Sequence, residues 1–110
     1  VVGCAYAMRT PPHANTVKKM VDGRIKILNE ADMPKHPFPC LAVGTGVMLI
    51  NMNVFKSLTP PYFVFGEEED GSMIGEDVMF CKRLTEAGVE VWCDPTIPVG
   101  HIGEAVYFLQ

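Results

Sequence analysis

One stretch of this chain admits a single local structure: residues 75–88 predict a helix that opens at Gly75 and ends at Gly88. At about 100° per residue, Phe80, Cys81, Leu84 and Ala87 gather on one arc, while Lys82, Arg83, Thr85 and Glu86 take the other. Asp77 falls near the middle of the apolar arc and Glu76 at its edge. Acidic residues in a first turn complement the helix dipole and bond its free N–H groups, which accounts for Glu76 as readily as chemistry does. A carboxylate centred on the inward arc either caps something or faces a pocket. Held on a rigid helix at the mouth of a cleft, it has what a general base requires.

With 110 residues, the chain is one domain at most, able to bury roughly two-thirds of its unfolded surface. A net charge of −4 and the lack of a basic patch argue against nucleic acid as a partner. No apolar run approaches the ~20 residues that span a bilayer, and no signal-peptide pattern is present, so a cytoplasmic protein is expected. Cys4, Cys40, Cys81 and Cys93 have no CxxC spacing. Cys4, Cys81 and Cys93 sit in apolar patterns and read as reduced core residues rather than zinc ligands or a disulfide frame.

Val1 to Met8 reads as a buried-type strand with no polar lead-in, the expectation being a piece of a longer protein. Residues 9–13, with paired prolines, form a loop. Thr16–Val21 and Arg24–Leu28 flank Asp22-Gly23, a hairpin signal. Residues 29–39 hold three prolines and predict an irregular connection. Leu41–Ile50 predicts an apolar strand interrupted by Gly44 and Gly46, and Asn51 or Asn53 a cap for a short helix through Val54, Phe55 and Leu58. Tyr62–Phe65 predicts a brief aromatic strand. Glu67 to Gly71 is an acidic run closing in a turn, expected as a solvated loop rather than a metal site. Val89–Cys93 alternates as a strand, and Asp94-Pro95 turns the chain into a further short strand before His101. The class is α/β or α+β: a mixed sheet with few helices.

Three features could share one cleft: Gly44-Thr45-Gly46, whose glycines mark a bulge or a close approach of backbone to ligand; Gly75-Glu76-Asp77 at a helix start; and His101, flanked by Gly100 and Gly103. In this order and spacing they resemble the second half of a GT-A nucleotide-sugar glycosyltransferase of the family-2 type. The likeness runs along almost the whole chain. Residues 9–13 look like the stretch after that family's metal-binding DxD motif, residues 44–50 like its glycine loop and following strand, and residues 75–83 like its xED motif. Residues 91–95 and 99–103 resemble its later strand and C-terminal metal-binding histidine.

The resemblance implies that Asp77 is the catalytic base, taking a proton from an acceptor hydroxyl as it attacks the donor sugar's anomeric carbon, and it suggests inversion there. It implies that Glu76 holds hydroxyls, that Gly44, Thr45, Gly46 and Gly75 let backbone approach substrate, and that His101 helps bind Mn²⁺ or Mg²⁺ at the leaving diphosphate. Tyr62, Phe63 and Trp92 suit either sugar stacking or a core. The chain departs from the family in one respect: Asp22, Asp32, Asp70, Asp77 and Asp94 all lack a second Asp two positions away. The expectation is therefore a single partial domain, residues 1–110, without the nucleotide-binding half and inactive or weak alone. A different class also fits, a non-catalytic module that forms a homo-oligomer or binds the missing half through uncovered apolar faces. A metal-dependent hydrolase on Asp70, Asp77 and His101 is disfavoured, because no HxH or HExxH pairing is present.

Overall fold

Asp22 and Gly23 both adopt positive φ, 51° and 77°, the geometry of a two-residue hairpin turn. They join β2 (Lys18–Val21) to β3 (Arg24–Ile27), with Val21 opposite Arg24 and Lys18 opposite Ile27. The hairpin therefore forms where the sequence predicts it. The structure is a computed structural model that describes residues 1–9, 12–104 and 108. Thr10 and Pro11 of the predicted proline loop lie outside the described residues.

The central element is a four-stranded mixed sheet in the order β4-β8-β1-β5. Here β1 is Val2–Cys4, β4 Phe38–Cys40, β5 Met48–Leu49 and β8 Val91–Asp94. β1 runs parallel to β8 and antiparallel to β5, and β4 runs antiparallel to β8. Two small hairpins flank it, β2–β3 and β6–β7 (Gly66–Glu67 with Met73–Ile74). The protein is thus a small mixed α/β domain.

Helix α1 spans Glu76–Glu86, with Gly75 as N-cap and Gly88 at φ 84° after it. Its buried residues are Val78, Phe80, Cys81 and Leu84. Ala87, assigned by periodicity to the inward arc, is exposed, and Val78 is buried instead. Phe80, Cys81 and Leu84 belong to one core with Val17, Ala42, Val43, Val91 and Cys93. Burying a side chain such as Leu84 contributes about 1.5–3 kcal/mol.

Several predicted strands are shorter or absent. Val1–Met8 contributes only Val2–Cys4, and Leu41–Ile50 only Met48–Leu49. The segment 41–43 turns inward instead, with Ala42 and Val43 buried. Inside the supposedly irregular 29–39 stretch, a 3₁₀ turn forms at Glu30–Asp32 and β4 begins at Phe38. β4 is an edge strand, which is where Pro39 is tolerated. Tyr62–Phe65 is not a strand: Phe63 stacks on Phe80 with centroids 4.4 Å apart, and Tyr62 packs edge-on to Phe55. The strand at 66–67 pairs instead with 73–74, so the acidic run forms a hairpin tip. Residues 97–101 are irregular. Asn51 caps the 3₁₀ helix Met52–Ser57, its side chain accepting from the Asn53 N–H at 3.0 Å.

Candidate functional site

The start of α1 opens on a cleft of about 470 Å³. One wall is the β2–β3 hairpin and the other is β6–β7 with its tip. Antiparallel pairing puts Lys18 and Ile27 on one face together with Met20 and Ile25, while Lys19 and Lys26 take the opposite face. Asp77 and Gly75 line the cleft from the helix side, Lys18 and Ile25 from the first hairpin, Asp70 and Met73 from the second. A carboxylate and an ammonium thus share a hollow whose walls mix aliphatic side chains, Ile25, Ile27 and Met73, with charged ones, Arg24, Lys26, Glu68 and Asp70.

Asp77 is half-buried, and its Oδ1 accepts the Val78 N–H at 2.8 Å. Lys18 is fixed by its backbone: its N–H donates to the Ala42 carbonyl at 2.9 Å, and its carbonyl accepts from Leu41 at 3.0 Å. Burial pushes the Lys18 ammonium below its usual 10.5, and the Asp77 charge partly restores it. Asp77 acts on it through space, without a hydrogen bond between the two. Asp70 is held below the usual carboxylate range by the Ser72 hydroxyl and N–H, with Arg24 adding a smaller pull. Thr16, on the same wall, has a buried Oγ1 with no hydrogen-bond partner among the described residues.

A second cluster forms around Tyr6. Its hydroxyl accepts the Gly46 N–H at 3.0 Å. A Cβ placed on Gly46 would lie 2.7 Å from that hydroxyl oxygen, and one on Gly44 would be closer still. The edge of Tyr6 meets the His101 ring with centroids 5.5 Å apart and planes at 88°. His101 Nδ1 donates to the Ala7 carbonyl at 2.8 Å, since a carbonyl can only accept. Nε2 then carries the free lone pair.

The sequence-predicted site residues therefore divide. Asp77 and Gly75 line the cleft, whereas Glu76 is exposed and outside its lining. The close neighbour of Gly44 and Gly46 is the Tyr6 hydroxyl, a group of the chain itself, and Thr45 is exposed at the turn between them. His101 belongs to the Tyr6 cluster and does not line the cleft. The two regions meet along residues 7–8: the Ala7 carbonyl holds His101, and Met8 lines the cleft. Sequence reasoning missed Lys18 and Tyr6. Neither carries a local signal, because a lysine in a hairpin and a tyrosine in an apolar run are both ordinary.

Among the described residues no group of three His, Cys, Asp or Glu side chains is arranged to hold a metal ion. The four cysteines are free thiols, with Cys4, Cys81 and Cys93 buried. No described helix is long and apolar enough to cross a membrane. Compared with protein-family models, curated proteins and solved structures, the chain gives no significant match.

Proposed function

We propose that this chain is the acceptor-side half of a GT-A-type nucleotide-sugar glycosyltransferase, with Asp77 as the base. One observation carries the assignment: Asp77 lines the cleft from the first turn of a helix whose other inward residues are buried in the core. One carboxylate oxygen is taken by the Val78 N–H, which leaves the other as a proton acceptor. In the transfer, the acceptor O–H gives its proton to Asp77 while its oxygen bonds to the anomeric carbon. The bond from that carbon to the diphosphate breaks, and the electron pair leaves with the phosphate.

The resemblance also implies a divalent ion. His101, with Nδ1 pinned and Nε2 free, has the orientation of a metal-binding imidazole. One imidazole is too few ligands for Mn²⁺ or Mg²⁺, and the described residues do not supply the rest. In this proposal, the other ligands and the nucleotide site come from a DxD-bearing segment.

The test is nucleoside-diphosphate release from UDP- and GDP-sugars with Mn²⁺ and hydroxyl acceptors. It compares the chain alone with the chain expressed together with any coding sequence immediately upstream of Val1. Transfer by the longer polypeptide that falls by about 10³-fold or more in Asp77→Asn is expected. Transfer at ordinary enzyme rates by the isolated chain, or undiminished transfer by the Asp77→Asn protein, refutes the proposal.

A second reading is favoured by the β5 edge. Leu49 on that outer strand and Met52 just after it are each 73% exposed. An uncovered apolar edge of this kind drives association, as in a homo-oligomer or a complex with a separate half. Light scattering at high concentration tests self-association: a monomer throughout rejects the homo-oligomer.

A further inference from the structure

The cleft beside Asp77 is lined by every residue of β3, Arg24 to Ile27, in one unbroken run, and across it by Ser72, Met73, Ile74 and Gly75 in another. A strand seen from its face offers alternate residues, whereas one seen along its edge offers all of them. The slot therefore runs between the outer edges of β3 and β7, strands of two separate sheets that do not pair with each other. The main-chain groups on the β3 edge follow from the register. Lys18 turns its N–H and carbonyl away from β3, bonding them to residues 41 and 42. Lys18 and its partner Ile27 are thus a non-hydrogen-bonded pair, and by alternation so are Met20 and Ile25. The N–H and C=O groups of Ile25 and Ile27 consequently point out of the hairpin into the slot, where they have no backbone partner among the described residues.

We infer that the β3 edge is a binding site for an extended peptide, which adds to the hairpin as a third strand through main-chain hydrogen bonds to Ile25 and Ile27. At a rise of about 3.4 Å per residue, the free groups of Ile25 and Ile27 repeat every ~7 Å, the spacing of alternate residues in another strand. Side chains of the added strand fall into two surroundings: one set lies beside Ile25 and Ile27 and is apolar, the other beside Arg24 and Lys26. Arg24 acts on the Asp70 carboxylate across the slot, so an acidic residue fits beside the exposed Lys26. The second wall and the Lys26 charge disfavour the edge of another folded sheet, which selects a single strand over a second copy of the chain. This site stands without the transferase reading; where both hold, a polypeptide carries the acceptor hydroxyl.

The experiment is amide hydrogen exchange of the ¹⁵N-labelled full chain, with the N-acetylated, C-amidated pentapeptide Thr-Val-Glu-Val-Thr as probe. In the free protein, the amides of Ile25 and Ile27 are expected to exchange fast and those of Arg24 and Lys26 slowly, since only the latter bond to β2. At saturating peptide, the Ile25 and Ile27 amides are expected to slow by about tenfold or more. Two further versions of the peptide carry N-methyl groups on alternate backbone nitrogens, in one phase or the other. The version that blocks the N–H groups facing β3 is expected to bind about tenfold more weakly, or worse. Ile27→Pro removes one outward donor while sparing the β2 ladder, and is expected to weaken binding to a similar degree. Should that variant unfold, the methylated peptides decide, because they leave the protein untouched. No binding at about millimolar peptide, equal binding by all three peptides, or binding that leaves Ile25 and Ile27 unprotected overturns the inference. So does protection of those two amides before peptide is added: if it rises with protein concentration, a second copy fills the slot, and if it does not, β3 and β7 close on each other. Peptide binding with no sugar transfer by the longer polypeptide leaves this site standing and rejects the transferase reading alone.

Discussion

The Tyr6 hydroxyl accepts the N–H of Gly46 across 40 positions of sequence, and its ring lies where a side chain on residue 44 or 46 would have to be. This contact joins the start of the chain to the turn before β5, and through the Tyr6 edge to His101. Gly44→Ala is expected to expel the ring and destabilise the fold by about 1–3 kcal/mol, as overpacking does. Urea denaturation checks the value. In a Tyr6→Ala background the same substitution is expected to be nearly neutral, and full additivity of the two would contradict the contact.

Arg83 ties the far end of the fold together. Its guanidinium donates to the carbonyls of Thr59 and Pro61 at 2.8 Å and of Tyr62 at 3.2 Å. These bonds fasten the segment that brings Phe63 onto Phe80. Arg83→Met keeps the aliphatic stem and removes the donors, with an expected loss of about 1–2 kcal/mol after allowance for solvent exposure. Hydrogen exchange is expected to accelerate in residues 59–65 more than in β1 or β8.

These two contacts mark where the sequence stops being legible. The Asp22-Gly23 hairpin, the Asn51 cap and α1 are local, so turn chemistry and a 3.6-residue period suffice to find them. β4 at Phe38–Cys40 is invisible because it exists only through pairing with β8, 53 or so residues on, and its proline is permitted only by its edge position. The run Tyr62–Phe65 has strand composition, but its rings are used to cover Phe80. The place of Asp77 on the cleft was legible because a helix's own period marks it as facing inward. Lys18 was not, since its counterpart reaches the cleft from a separate element 59 residues away.

The thiols are expected to be slow nucleophiles. Burial pushes Cys40 up to about 12, helped by the nearby Cys93 and Cys81, and pushes Cys93 up to about 11. At pH 8 the Cys40 thiolate fraction is then roughly three orders of magnitude below that of a free thiol. Mass spectrometry after iodoacetamide treatment is expected to find the native chain largely unmodified and all four cysteines alkylated in urea. Rapid labelling of Cys40 in the folded protein would contradict this environment.

Acid is expected to weaken the fold in a defined direction. Asp94 is lowered from 3.8 by the Thr96 hydroxyl and N–H, and Asp70 by those of Ser72. A carboxyl lowered in the folded state contributes stability above its unfolded value, and that stability is lost as pH falls through the folded value. Thermal melts are therefore expected to drop as pH falls below about 4. Asp94→Asn is expected to flatten that fall, whereas an unchanged acid profile would contradict the turn geometry.

The shared cleft of Lys18 and Asp77 is tested most directly by titrating Lys18 itself, using ¹³C-dimethylated lysines resolved by NMR. Burial is expected to make Lys18 titrate below the usual 10.5, and below Lys19 in the same spectrum. Asp77→Asn removes the opposing charge, so Lys18 is expected to titrate lower still. A Lys18 curve at the ordinary lysine position, or one that ignores the Asp77→Asn substitution, would contradict the site.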